Sequence, residues 1–505
     1  MNEMSQSRLI WIGWIVIVAL ALWLRINDLE GRPIHADEAT GARILAQKLE
    51  SQSYRFDPQH FHGPLLSVVS APIAVIRNEN SWTELSLLTL RISPVIAGML
   101  TVLAPLLWLR RFGGATTLAA AALLASSPLL VYYNRMFIHE SWLLLFGILT
   151  LASLHRLAHK PSWFSASLTG LCIGLMFAAK ETFAISIIAW AIAGTALLLI
   201  NGRPDRSDCR TPTILFAAIA AIAFATSSFF YSDGFRNWLG VLDSVKTFFV
   251  YETTQGHEKP AGYYLHTLFW PKQALGIWWT EICILLLAAA ALMRVVFQRS
   301  HNSLHLFLAL ATLVHFVIYS WIDYKTPWLM LLPWGHACLL AGLAFNKSQS
   351  LHPTLKTAFV GFLISTTIFQ THQSLHATGR YANDERNPYA YVPTSRNAEG
   401  IAYWLQQLNT MKDAPPLHPI AVIGKNYWPL PWYLREFESI GYWNEPHPEL
   451  SKLPIIIAMP EQVSRCDALW KTSHQKFPKT LRTNVPVMLY LRKDIWNQWI
   501  HIPSP

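Results

Sequence analysis

The stretch Leu9–Gln47, "LIWIGWIVIVALALWLRINDLEGRPIHADEATGARILAQ", joins an apolar run ending at Ile26 to a polar segment. There Asp37 and Glu38 stand side by side, two residues after His35. The run is long enough to cross a hydrocarbon core, which takes about 20 residues of helix. It exceeds the apolar region of a signal peptide and no small-residue cleavage site follows, so a retained helix is expected. Adjacent like charges repel, so the acidic pair is either a solvated helix cap or a site that needs carboxylates. The choice turns on which side of a membrane it faces.

Composition sets the class. Hydrophobic residues make up 52% of the 505 and charged residues only 14%, against about a quarter charged in a soluble domain. The 22 tryptophans suit bilayer interfaces. The net charge of +10 is spread over helix ends rather than gathered in one patch, which argues against a nucleic-acid partner. Further apolar runs predict spans at Leu85–Leu109, Ala115–Tyr133, Ile138–Ala158, Trp163–Ala179, Phe183–Ile200, Thr213–Tyr231, Ala274–Phe297, Ser303–Trp321, Trp328–Phe345 and Thr354–Thr371. With the first, these make about eleven. Leu65–Ile76 is too short to span and contains Pro72, so it reads as interfacial or re-entrant.

Arg110-Arg111 and the connections Arg156–Lys160, Arg203–Arg210, Arg294–Arg299 and Lys347–Lys356 each hold two or more Lys or Arg. The opposite connections hold Arg135, Lys180 and Lys325. The positive-inside rule then places the N-terminus in the cytoplasm, and an odd span count exports the C-terminal tail. Asp37-Glu38, His139-Glu140, Lys180-Glu181 and Asp323-Tyr324-Lys325 all fall on the outer face. Ionisable groups near a membrane core are costly and tend to be functional. The expected organisation is a transmembrane domain, 1–371, whose first external loop, 28–84, carries the acidic pair, followed by an external domain, 372–505. In the latter, "HPIAVIGKNYWPLPWYL" (418–434), "LPIIIAMP" (453–460) and "VPVMLYLRK" (485–493) read as short buried strands and Asn397–Asn409 as an amphipathic helix. The fold class is thus mainly α, polytopic in the membrane, with a smaller external α/β domain. Cys466 is the only cysteine of that domain, so no disulfide forms within it.

The ordered series "HADEATGARILA", "YRFDPQHFHGPLL", "YYNRMFIHES", "AAKETF", "DYKTPWLMLLPW" and "YWPLPWYLR", spread over residues 35–435, resembles the GT-C superfamily of membrane glycosyltransferases. That superfamily includes the protein O-mannosyltransferases and the lipid A aminoarabinose transferases. The series looks nearest to the subfamily associated with archaeal protein glycosylation. The resemblance implies a transferase, of hexosyltransferase type, moving a sugar from a polyprenyl-phosphate donor to a protein, lipid or glycan acceptor at the outer face of the cytoplasmic membrane. The residues agree with such a donor: sugar nucleotides are cytoplasmic, the charged groups face outward, and no nucleotide-binding βαβ unit is present.

In an inverting transfer one carboxylate takes the acceptor's proton. Asp37 matches the family's base, with Glu38 beside it and Glu140 as a third candidate. The leaving phosphate needs positive charge, for which Lys180, Arg135 and Lys325 are the candidates. His60 and His62 of "PQHFHG", Glu181 and Tyr324 are expected to contact substrate. No organic cofactor is called for. If a divalent metal is used, Asp37, Glu140, His60 and His62 are its expected ligands. Two rival readings are a lipid-linked-sugar flippase, which would place its charges mid-membrane along internal repeats, and a non-catalytic accessory protein of glycan assembly. Charges gathered on one face and the absence of repeats favour the enzyme.

Overall fold

The computed structural model describes residues 3–51, 55–201, 210–250, 256–297, 303–346, 352–410 and 417–500. Among these, seven helices are long and apolar enough to cross a membrane: Arg8–Ile26, Leu87–Phe112, Glu140–His159, Phe183–Ile200, Thr213–Tyr231, Ser303–Trp321 and Pro327–Phe345. Shorter apolar helices lie at Leu65–Ile76, Gly114–Ser126, Trp163–Ala179 and Ile282–Arg294. Pro327–Phe345 is the centre of the bundle, with 94% of its apolar window buried against 22% for Arg8–Ile26. A helix apolar all round is buried, and one wrapped by lipid need not be. The basic connections expected at Arg203–Arg210, Arg294–Arg299 and Lys347–Lys356 lie wholly or partly outside the described residues.

Several expected spans are corrected. The run Ala115–Tyr133 breaks at Ser127, whose Oγ accepts from Leu130 N and whose φ/ψ of −54/119 leaves the helical region before Pro128. A residue preceding proline is pushed that way by the pyrrolidine ring. The run read as starting at Ala274 opens instead with a hairpin, β1 (Lys272–Ala274) and β2 (Ile277–Trp279). It turns through Leu275 at φ 60 and Gly276 at φ 76, and the helix begins only at Ile282. The helix beginning at Pro353 runs on to Thr378, through the boundary expected at 371–372. Gln370, Gln373 and Ser374 are fully buried along it.

Beyond that helix lies a five-stranded sheet of order β4-β3-β5-β7-β6, made of β3 (Ile420–Ile423), β4 (Ile440–Trp443), β5 (Ile455–Ala458), β6 (His474–Arg482) and β7 (Val485–Arg492). β3 pairs in parallel with β4 and β5, and β7 is antiparallel to β5 and β6. β3 and β5 are buried at every position, as central strands covered on both faces are. The helix Arg396–Asn409 packs Ala398, Ile401 and Leu405 on one face, and Cys466 and Trp470 cover the other. The three strand-like runs hold β3, β5 and β7. β4 and β6 carry Gly441 and Pro478, which blunt the strand signal.

The first helix, α1 (Glu3–Ile26), leads to α2 (Ala36–Ser51), α3 (Leu65–Ile76) and α4 (Leu87–Leu103). The loop before α2 is bound to the sheet side of the molecule: Thr394 Oγ1 donates to Ile34 O (2.6 Å) and an Arg396 guanidinium nitrogen to Gly31 O (2.9 Å). Trp432 joins Ile34, Ala39 and Leu45 in one apolar cluster.

Candidate active site

The start of α2 explains the acidic pair. His35 caps the helix, its Nδ1 accepting from Asp37 N (3.1 Å), while Glu38 reaches back to accept from His35 N (2.9 Å). This is a capping box with imidazole in place of a hydroxyl. Consecutive helical side chains diverge by about 100°, so the two carboxylates part. Glu38 turns inward and is fully buried, whereas the Asp37 side chain is 52% exposed.

Glu38 is held by an extended network. Arg91 of α4 grips it through Nε and Nη2, both at 2.9 Å, and Phe137 N donates at 3.0 Å. Arg91 Nη1 also donates to Leu29 O and Arg32 O, each at 2.9 Å. One buried guanidinium therefore fixes both the carboxylate and the loop that leads to it. Burial pushes Glu38 upward, but the Arg91 and Arg32 charges outweigh it and hold the carboxyl at about 2. Glu38 thus stands buried between Arg91 and the loop before α2.

His35 Nε2 faces Tyr391 O at 3.1 Å. With Nδ1 occupied by an N–H, the proton sits on Nε2. Burial pushes His35 below its ordinary value despite Asp37 nearby, so the imidazole is neutral. Around it stand Trp328 (ring centres 5.9 Å) and Tyr391, whose hydroxyl lies 2.8 Å from His257 Nδ1. His257 faces Tyr324 at 5.0 Å. A small cavity, of about 10 Å³, lies here between Arg32, His35, Tyr132, Trp328 and Tyr391.

A second group meets the first at Tyr324, whose phenol lies within electrostatic reach of Lys180, Asp37, Glu140 and Glu181 and is pushed up to about 12, mainly by burial. Lys180 is buried and paired with Glu140 at 2.5 Å. Burial alone would lower Lys180, but Glu140 and then Glu181 keep it charged and above its ordinary value. Glu181 pairs with His62 at 3.1 Å; His62 and Lys180 outweigh burial and hold it at about 2. His62 also packs edge-on against His139, ring centres 5.3 Å apart. Gly63 lets the loop carrying His62 lie against the end of the Trp163–Ala179 helix, since a Cβ there would lie 2.2 Å from Ala178 O.

The structure thus gathers Asp37, Tyr324, Lys180, Glu140, Glu181 and His62, and leaves out the rest. Arg135 donates to Leu24 O and Asp28 O, both at 2.8 Å, and so caps the carbonyl end of α1. Lys325 donates to Lys259 O at 2.9 Å and to Ile322 O. Both cations thus donate to backbone carbonyls. His60 lies at the surface against Asp57. The four-residue metal set is not assembled: Glu140, His62 and His60 each face another partner, and no group of three or more metal-type ligands forms among the described residues.

Sequence reasoning missed Arg91, His257, Lys259, Tyr391 and Arg482. Arg91 carried a signal, a lone guanidinium inside the apolar run "LLTLRISPV". The others sit in loops or at a strand end with no periodicity to betray them. Arg482 and His257 both lie within electrostatic reach of Asp37, and Lys259 Nζ stands 5.9 Å from the Tyr391 ring centre. Neither Lys259 nor Arg482 has a carboxylate at ion-pair distance among the described residues.

Residues 65–231 match the family model of the dolichyl-phosphate-mannose-protein mannosyltransferases. No curated protein sequence matches the chain. Among solved structures it is similar to ArnT from Cupriavidus metallidurans in the apo state, with TM-score 0.63 and 16% identity over 95% of this chain and 98% of that one. The same protein bound to undecaprenyl phosphate matches with TM-score 0.59 and 14% identity, over 94% and 98%. The archaeal oligosaccharyltransferase AglB from Archaeoglobus fulgidus, in complex with an inhibitory peptide and a dolichol-phosphate, matches with TM-score 0.57 and 12% identity, over 94% and 73%. The expected nearness to the archaeal subfamily has only such 12–15% likenesses to the Archaeoglobus protein behind it. The chain therefore shares the GT-C fold of these proteins, with seven helices among the described residues long and apolar enough to cross a membrane.

Proposed function

We propose that the protein is an inverting glycosyltransferase. In this reading it takes a sugar from a polyprenyl-phosphate donor and passes it to an acceptor at the outer face of the cytoplasmic membrane. The observation that carries the reading is the parting of the acidic pair: Glu38 is locked inside by Arg91, while Asp37 is presented, half-exposed, beside a wall of Tyr, His and Trp. Asp37 takes the proton of the acceptor nucleophile as it attacks the anomeric carbon. The C–O bond to the donor phosphate breaks and the lipid phosphate leaves with the electron pair. Two of the structurally similar proteins were solved with lipid phosphates, undecaprenyl phosphate in one and dolichol-phosphate in the other, which supports a donor of that class.

The leaving phosphate requires cations not already neutralised. Lys180 is neutralised by Glu140, whereas Lys259, Arg482, Arg135 and Lys325 each donate to backbone carbonyls and keep their charge. Of these, Arg482 within electrostatic reach of Asp37 and Lys259 beside Tyr391 are the cations placed for the phosphate in this reading. Lys180 keeps a part through its pairing with Glu140, which sets the field around Tyr324. The test is transfer by the purified protein, supplied with polyprenyl-phosphate sugars and membrane acceptors and followed by mass spectrometry. Product formation that disappears with Asp37→Asn supports the reading. Equal transfer by wild type and Asp37→Asn would remove the base from Asp37.

A further inference from the structure

At the seam between α2 and the sheet lies a second groove, of about 360 Å³, within the roughly 300–1,000 Å³ typical of ligand clefts. Its walls include Trp82, Tyr427 and Tyr442, and its polar groups are Arg43, Arg435 and Glu438. Tyr427 and Tyr442 pair at 4.7 Å with their planes 37° apart, and Tyr442 remains 41% exposed. Arg43 sits over the Trp82 ring at 5.3 Å and Arg435 over Trp432 at 3.5 Å. Stacking of this kind holds a planar guanidinium in place and leaves its edge free to donate. Arg435 Nε is buried and has no hydrogen-bond partner among the described residues. An orphaned buried donor at a groove wall is free to bond a ligand hydroxyl or a water.

From this groove we infer a binding subsite for a saccharide ring of the acceptor, built apart from the reaction centre. A pyranose has flat C–H faces that match the tyrosine and tryptophan rings. Its rim of hydroxyls both donates and accepts, matching two guanidinium groups and one carboxylate. Arg43 follows Asp37 by six residues on α2, about 9 Å along the helix axis, so a ligand held here is displaced from the base by more than one bond length but remains within one acceptor molecule. A donor sugar, tethered to the bilayer through its lipid phosphate, has less reason to reach a groove walled mainly by the sheet domain. The word acceptor rests on the transferase reading; binding of a saccharide does not.

The test uses the full chain in detergent with no lipid donor, titrated with maltose, mannobiose and chitobiose and followed by saturation-transfer NMR. At least one disaccharide is expected to saturate the protein. Tyr442→Ala and Arg435→Gln are each expected to weaken it about tenfold, the scale of a lost aromatic contact, while Asp37→Asn binds as wild type. Failure of every disaccharide to saturate, or unchanged binding by both variants, overturns the subsite. Displacement of the sugar by a peptide added to the edge strand β4 overturns it as well. If no lipid-linked sugar is ever transferred yet Tyr442-dependent saccharide binding persists, the transferase reading falls and the subsite stands.

Discussion

Two neighbouring carboxylates acquire opposite environments because of one local rule and one distant residue. The cap at His35 orients the pair, and Arg91, more than fifty positions away, draws Glu38 out of solvent. Asp37→Asn keeps size and hydrogen bonding but cannot accept a proton. It is expected to lower transfer about 10²- to 10⁴-fold with an unchanged unfolding temperature, as measured by the transfer assay and thermal unfolding in detergent. Glu38→Gln should behave differently, since it leaves Arg91 buried without its countercharge. Losses of this type cost about 3–5 kcal/mol, read as a fall in unfolding temperature. The sign of the pH dependence follows from a carboxyl held at about 2 against an ordinary 4.5. Its stabilisation is fully present above about 4.5 and is lost as pH falls toward 2. Wild type should therefore lose stability on that acid limb, and Glu38→Gln should lose less there. An identical acid limb in both proteins would show that Glu38 is not the group responsible.

Among the elements, the meeting of helix ends at Lys180 and Glu140 is the most testable. The two were read from sequence as a phosphate ligand and a catalytic carboxylate, and the structure pairs them. Lys180→Ala and Glu140→Ala are each expected to destabilise by about 3–5 kcal/mol. The double variant should cost less than the sum by about 0.5–3 kcal/mol, as contacting residues do; additivity in thermal unfolding would refute the pairing. Lys259→Ala and Arg482→Ala should leave stability nearly unchanged and raise the donor concentration required for half-maximal transfer. If Lys180→Ala alone moves donor dependence while they do not, the phosphate belongs to Lys180. The breaks at Ser127 and before Ile282 show how one apolar run becomes two elements when proline or a tight turn intervenes.

For the whole molecule, the proposed orientation makes a direct forecast. Single cysteines placed at residue 111 are expected to be labelled only from the cytoplasm, and those at Asn397 or Tyr442 only from outside. Labelling of the sheet domain from the cytoplasm would separate Asp37 from an external site. What the sequence determined by itself was class and scaffold. Apolar runs, their lengths and the short strands of the tail report burial, which is a local and periodic property, and the ordered motifs from His35 to Arg435 pointed to the GT-C fold that the comparisons support. Which ionisable groups are free was decided only by tertiary structure. Asp37 and Glu38, or Lys180 and Lys259, are alike as residue types. They differ because a guanidinium on α4, or a carboxylate at the start of the Glu140–His159 helix, reaches one and not the other. Those partners come from distant sequence positions, and charge neutralisation depends on a separation of a few ångströms that only the packed chain sets.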